Sequence, residues 1–553
     1  MSYYNIDVYH RPITTASEDA QLWFNRGLTW TYGFFHEEAL ACFRKAVEAD
    51  SECAMAHWGL AHAAGPNYNL TWDLMDEAMQ RTALSTSRDA AEKALALCDG
   101  ASEAERALID TLAIRFPRRD PVDVETMAGW ENAYAEAIAR VQARFPDDLD
   151  LRTFAVEAIM NLTPWKMWDL VTGEPAEGAG TLKAKALLEE AMNNDPAAMR
   201  HPGILHLYVH LMEMSPTPEA ALKAGDVLRD LVPDAGHLIH MPTHIDIQCG
   251  HYHNVMFWNQ KAVKADRIAK ERAGIFNIYT GYRIHNHHFV AYGAMFLGQF
   301  QPAWEAAREL ADDLPEDLLR TPSPPFADFY ESYLAIWVHV LIRFGRWQQI
   351  IDEPLPEDTE LYANLVATLH YAKGVAHAAL GNVEDAEGER VLFLEARDRV
   401  PDARRMHNVM CSEQLAVAEA MLDGEIEYRK ANYDLAFQRL REGVALEDAL
   451  PYDEPWGWMQ PVRHALGALL LEQGHVEEAE ATYREDLGLG GTLNRAQIHP
   501  DNVWSLRGLN DCLKARDATS SAEGRLIAQR LALAEARADT PVGASCFCAT
   551  TKV

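Results

Sequence analysis

Residues 19–49 read DAQLWFNRGLTWTYGFFHEEALACFRKAVEA. In 19–33, and again in 36–49, apolar residues return every three or four positions, the spacing that puts them on one face of a helix. Gly33 stops the first stretch, and Glu37 and Glu38 open the second, where acidic side chains favour a helix start. The spacing therefore predicts two amphipathic helices back to back. A third follows at 53–65 (CAMAHWGLAHAAG). The phrase beginning at Gly33 also places Ala39, Phe43 and Ala46. Small residues there let two helices of a hairpin approach closely, and large ones fill the gaps between hairpins.

Degenerate copies of the phrase begin at Gly250, Gly298, Gly345, Gly381 and Gly474. The middle ones are 48, 47 and 36 residues apart, which brackets the tetratricopeptide period of about 34 once loops are inserted. No convincing strand pattern occurs. These hairpins resemble tetratricopeptide (TPR) repeats, and the resemblance covers most of the chain. It implies an all-α, TPR-like helical-hairpin solenoid that can curve into a closed ring around a central pocket. We expect one continuous array over 1–538, with His-rich central repeats at 201–297 and a disordered tail at 539–553. Gly/Pro-rich surface loops are expected at 170–181 and 313–326, and a further loop rich in aromatic and acidic residues at 451–461.

Composition narrows the function. With 83 acidic against 50 basic residues the net charge is −33, so nucleic acid and anionic membranes are poor partners. No run of eighteen apolar residues exists to span a membrane. The N-terminus lacks the basic and apolar regions of a signal peptide. The eight cysteines are scattered and read as reduced thiols of a cytoplasmic protein. No phosphate-binding Gly loop, Gly-x-Ser-x-Gly or Cys-x-x-Cys appears.

Histidine is distributed unevenly. Eleven of the chain's 22 lie between His201 and His288, in HPGILHLYVHLMEMS, AGHLIHMPTHIDIQCGHYHN and YTGYRIHNHHFVAY. In a TPR array the first helix of each hairpin lines the groove, and the pattern assigns this role to about 150–162, 203–214, 235–249 and 277–297. Stretches 221–231 and 253–268 read as outer helices. His206, His210 and Glu213 then share one face, as do His237, His240 and His244. Glu157 faces the same groove from the first of these helices, and Arg283 and His287 from the last. Pro242 either kinks the third helix or starts it near Met241.

The phrases HPG-x-x-H-x-Y-x-H-x-x-E, GH-x-x-HMP-x-HI and HN-x-HF are similar to those of TPR-like proteins of bacteria and fungi. WGLAHAAGPNYN, EAIMNLTPWKMWD and LPYDEPWGWMQPVRHALGA extend that likeness. The resemblance implies no activity, but it implies that these His and acidic positions form the shared feature. Asp246 and His251 depart from the pattern and read as incidental.

Rigid helices offering convergent imidazoles suit a transition metal such as zinc, copper or iron. The expected ligands are His206, His210, His240 and His244, then His237 and His287. Glu213 would be a ligand or general base, and Glu157 a catalytic acid or a group orienting a ligand. The expected function is a metalloenzyme acting on a small-molecule substrate, by oxidative or by hydrolytic or lyase chemistry. The alternatives are a non-catalytic adaptor holding a peptide in its groove, and metal storage or delivery. Trp58, Trp165, Trp168, Trp456 and Trp458 read as hairpin packing before pocket wall, Asp453 and Glu454 as solvated loop acids, and His36 as a surface cap.

Overall fold

The computed structural model describes residues 3–549. The fold is all-α and made of TPR-like helical hairpins. The first is α1 (Glu18–Tyr32) against α2 (His36–Ala49), followed by α3 (Ala54–Ala64). Ser17 caps α1 by accepting from the Ala20 amide at 3.2 Å. Phe43 of α2 is the large residue between small ones. Its ring is so near that an added Cβ would lie 2.7 Å from it at Gly27 and 2.3 Å at Gly59. Neither position can carry a side chain without moving that ring.

The repeat phrase has a backbone meaning. Gly250, Gly298, Gly345, Gly381 and Gly474 all adopt left-handed φ, between 62° and 83°. Five residues after each stands a buried residue: Val255, Ala303, Ile350, Ala386 or Ala479. Counting back five from the equivalent buried Ala39 reaches Phe34, not Gly33. Phe34 indeed takes the left-handed turn, at φ 55°, while Gly33 has φ −92°. One hairpin thus puts an aromatic residue where five others put glycine.

The described residues form two compact units, one from residues up to 245 with 261–283, the other from 246–260 with residues from 284 onward. In the first unit lie α4 (Leu149–Met160), α5 (Pro202–Met212) and α6 (Gly236–His240). A further helix, α7 (Pro242–Gln248), follows α6 after the single residue Met241. The chain keeps helical angles through Met241 (φ −50°, ψ −42°), so Pro242 segments the helix without turning it into a loop. The last of the expected groove helices is α8 (Tyr279–Phe296), and the two expected outer helices are Leu222–Leu228 and Tyr252–Ala273.

Three expectations change in the second unit. A small antiparallel hairpin pairs Arg405–Met406 with Val409–Met410; two residues per strand are too few for alternation to register in sequence. The 451–461 loop is not solvated, because Tyr452, Asp453, Glu454, Trp458 and Met459 are all buried. Residues 539–549, expected to be disordered, pack on the unit. The amides of Asp539 and Thr540 donate to the Gly298 carbonyl at 3.3 and 3.2 Å, and Phe547 covers Gly345. Cys546 and Cys548 form a disulfide there, whereas Cys42, Cys53, Cys98, Cys411 and Cys512 are free thiols. Residues 550–553 of the expected tail lie outside the described residues. No described helix is long and apolar enough to cross a membrane.

Candidate metal centre

The phrase HPG anchors the first pair of histidines. His201 is the N-cap of α5, its Nδ1 accepting from the Ile204 amide at 3.2 Å, with Pro202 at the first helical position. An added Cβ at Gly203 would meet the Tyr32 ring at 2.6 Å and Thr153 at 2.7 Å, so only glycine lets α5 lie this close to α1 and α4. Buried Asp150 ties the junction together. It accepts from Arg11 Nη1 (2.6 Å), Tyr9 (2.9 Å), the Tyr32 hydroxyl and His201 Nε2 (3.2 Å). Burial alone would raise the Asp150 carboxyl, yet Arg11 with His201 and Tyr32 holds it well below the usual carboxylate range.

From this anchor His206 and His210 follow one turn apart on a helix buried throughout. The Nδ1 of His206 lies 2.6 Å from the carbonyl oxygen of Tyr32, at the end of α1. A carbonyl can only accept, so Nδ1 carries the proton and the lone pair of the neutral ring sits on Nε2. His210 places Nδ1 2.9 Å from Glu213 Oε1, with the same consequence. The third member is His237 on α6. Its ring centroid is 4.9 Å from that of His206 and 6.2 Å from that of His210, and neither of its nitrogens has a hydrogen-bond partner among the described residues. One ring nitrogen from each of His206, His210 and His237 lies within 4.8 Å of the others. Burial and the neighbouring imidazoles push His237 well below the ordinary histidine value, so it is neutral at pH 7, as a metal ligand must be.

Beside the three runs a chain of hydrogen bonds. Glu213 Oε2 is 2.5 Å from His244 Nδ1, and His244 Nε2 is 2.7 Å from His240 Nε2. The order is therefore His240, His244, Glu213, His210. Two nitrogens 2.7 Å apart share a proton; ligands of one tetrahedral metal at ~2.0–2.1 Å stand about 3.4 Å from each other. His240 and His244, both expected as ligands, face each other through Nε2. Glu213 bridges two imidazoles, fixing the tautomer of both.

Aromatic rings wall the cluster. Phe34 stands 4.4 Å from His206, 5.6 Å from His237 and 5.7 Å from His210. Tyr68 lies 4.8 Å from His210 and Tyr282 4.7 Å from His237. Sequence reasoning missed all three. For Phe34 a signal existed: the aromatic at the repeat's glycine position, visible when copies are aligned on the buried small residue. His36, expected on the surface, stacks on Phe34 at 6.0 Å.

Two further expected site residues lie elsewhere. Glu157 pairs with His62 (3.5 Å), whose other nitrogen is 3.2 Å from Arg115 Nη1. Burial would raise Glu157, but His62 and Arg115 lower it. It belongs to a buried ion-pair network and makes no hydrogen bond to the three imidazoles. His287 falls in the second unit, 3.9 Å from the half-exposed carboxylate of Glu309. The helix of residues 279–296 is shared between the units, which register alone could not reveal. Of the tryptophans, Trp168 donates Nε1 to the Leu211 carbonyl at 2.7 Å, and Trp58 stacks on His62.

No protein-family model matches the chain, and no curated protein matches it. Among solved structures, it is similar to a chain of the APC/C hetero-tetramer Cut9–Hcn1 at 12% identity, covering 90% of this chain and 78% of that one, with TM-score 0.32. It is also similar to yeast Tom70 (11% identity, 93% and 99% covered, TM-score 0.31) and to the apo form of RapI (14% identity, 65% and 93% covered, TM-score 0.30). At these identities and TM-scores the likenesses assign no function to this chain.

Proposed function

We propose that His206, His210 and His237 bind one transition-metal ion, zinc by preference, and that the chain is a metal-dependent enzyme activating water against a small molecule. One observation carries the reading: three imidazoles converge within 4.8 Å, two of them with Nδ1 already engaged by an acceptor. Three histidines and an open fourth position suit zinc-bound water, whose pKa falls to about 7 in such sites. The donor set holds no thiolate, and Glu213 is occupied in orienting His210 and His244, which argues against a two-histidine, one-carboxylate iron centre here. His244 and His240, joined to the ligand His210 through Glu213, supply the proton acceptor that hydrolysis or hydration requires. A small substrate follows from burial, since His206 and His210 are 1% and His237 2% exposed. The motif likeness to TPR-like proteins of bacteria and fungi is consistent with these histidines being their shared feature.

The test is metal content. Protein made without a His-tag, stripped with chelator and reloaded with zinc, is expected to lose one equivalent per chain in His210→Ala/His237→Ala. Unchanged zinc in that variant would sink the proposal. The competing reading, an adaptor holding a peptide, rests on the hairpin repeats themselves, which build extended binding surfaces. It predicts peptide capture that survives the same double substitution.

A further inference from the structure

Four helices of the second unit, Ile336–Arg343, Ala363–Ala379, Cys411–Arg429 and Val462–Glu472, each open a hairpin. First helices line the groove of such an array, and all four of these contribute to one cavity. Ile342, Val375, Met421 and Leu440 give the cavity an aliphatic wall, and Trp347 and Tyr371 add two aromatic rings. Cys546 and Cys548 of the C-terminal segment form part of the remaining wall.

Arg343 lines this cavity and is only 5% exposed. Its Nη1 donates to His464 Nδ1 at 2.9 Å and its Nη2 to the Ser545 carbonyl. Its Nε is buried and has no partner among the described residues. Neither acceptor carries a negative charge. Relief is indirect, because His464 in turn places Nε2 3.0 Å from Asp486 Oδ2. The other buried arginines of the unit sit directly on carboxylates: Arg404 Nη1 is 3.3 Å from Glu331 and Arg463 Nη1 2.6 Å from Asp448. Burial pushes Arg343 down to about 9 against the pull of Asp486 and Tyr483, so it is a cation at neutral pH. A cation removed from water without a contacting counter-charge is costly, and a carboxylate on a guanidinium offsets that cost through short, charge-assisted hydrogen bonds. The acid that lines the cavity, Glu425, is already answered, since Arg429 donates Nε and Nη2 to its Oε1 at 2.9 and 2.6 Å.

We infer that this cavity binds a small monocarboxylate with an apolar body, its carboxylate on Arg343 and its hydrocarbon part against the aliphatic and aromatic wall. One charged group among apolar surfaces is the usual make-up of a small-molecule site, the charge fixing orientation and the apolar wall supplying burial. The cavity shares no residue with the three-histidine centre and stands or falls separately from it.

The probe is isovalerate, titrated calorimetrically at neutral pH and fixed ionic strength into the full-length, tag-free, chelator-stripped chain. Its uncharged amide and sodium chloride are the comparisons. Isovalerate is expected to bind one per chain, and isovaleramide about tenfold more weakly or not at all. Arg343→Met should abolish binding. Val375→Phe, which fills the aliphatic wall and leaves Arg343 in place, should abolish it as well. Circular dichroism checks that each variant keeps its helices; if Arg343→Met does not, Val375→Phe decides. His210→Ala/His237→Ala should bind isovalerate as the unaltered chain does, which separates this site from the metal centre. The inference is overturned by no isovalerate bound to the unaltered chain, by amide bound as well as acid, by chloride bound as tightly as isovalerate, or by isovalerate retained in a folded Val375→Phe.

Discussion

At the residue scale Phe34 is the most informative side chain. A left-handed backbone costs a non-glycine residue ~1–2 kcal/mol, and the hairpins beginning at Gly298, Gly381 and Gly474 avoid that cost with glycine at this position. Phe34 bears it because its buried ring packs on His206, His210 and His237. The trade makes a prediction with an unusual sign. Phe34→Ala loses the ring and keeps the strain, destabilising by about 3–5 kcal/mol. Phe34→Gly loses the ring but relieves the strain, so it should be the more stable of the two by about 1 kcal/mol. Urea unfolding of the pair decides the matter, and an alanine variant as stable as the glycine variant would remove strain from the account.

Elements in this chain are held by buried carboxylates of two opposite kinds, and pH separates them. Asp150 joins α1 and α5 through Tyr32 and His201, and its carboxyl is depressed. The stability it contributes is complete above its unfolded value of about 3.9 and drains away as pH falls below that. Asp150→Asn should therefore be less stable than the unaltered chain at pH 7, with a shallower loss on acidification below about pH 4. Glu331 is the reverse. It accepts from the Asn364 and Leu365 amides at 3.3 and 2.9 Å, at the start of the helix Ala363–Ala379. Burial, only partly offset by Arg404, pushes it up to about 7. Its contribution is full below the unfolded value of about 4.3 and is lost as pH rises through 7. Glu331→Gln should flatten the stability profile across that window, read from unfolding midpoints at pH 5 and pH 8; an unchanged slope would contradict the assignment.

For the whole molecule, the −33 charge is the dominant long-range term. Self-repulsion weakens the compact state and is relieved as the Debye length falls from about 10 Å at 0.1 M salt to about 3 Å at 1 M. The thermal midpoint is expected to rise with sodium chloride over that range. A midpoint that falls would mean that the surface ion pairs, such as Arg81 with Glu77 and Asp120, outweigh the net repulsion.

The sequence by itself determined the helices, the hairpin repeat, the acidic surface and five of the histidines that gather in the first unit. Periodicity and turn residues are local, and they act over a few positions whatever the rest of the chain does. It also pointed to Gly203 and Pro202 within HPG, though not to their reasons. Only the tertiary structure decided which histidines converge. Register puts His206, His210, His237, His240 and His244 on common faces, but helix packing decides that His206, His210 and His237 converge and that His240 meets His244. It set Glu213 between His210 and His244, sent Glu157 to His62 and Arg115, and placed His287 in the other unit. It also brought His407, on a hairpin too short to leave a pattern, against Asp453 and Glu454. Contacts between different elements, such as His244 with Glu213, His62 with Glu157 and His407 with Asp453, depend on how whole elements pack, and no local spacing carries that information.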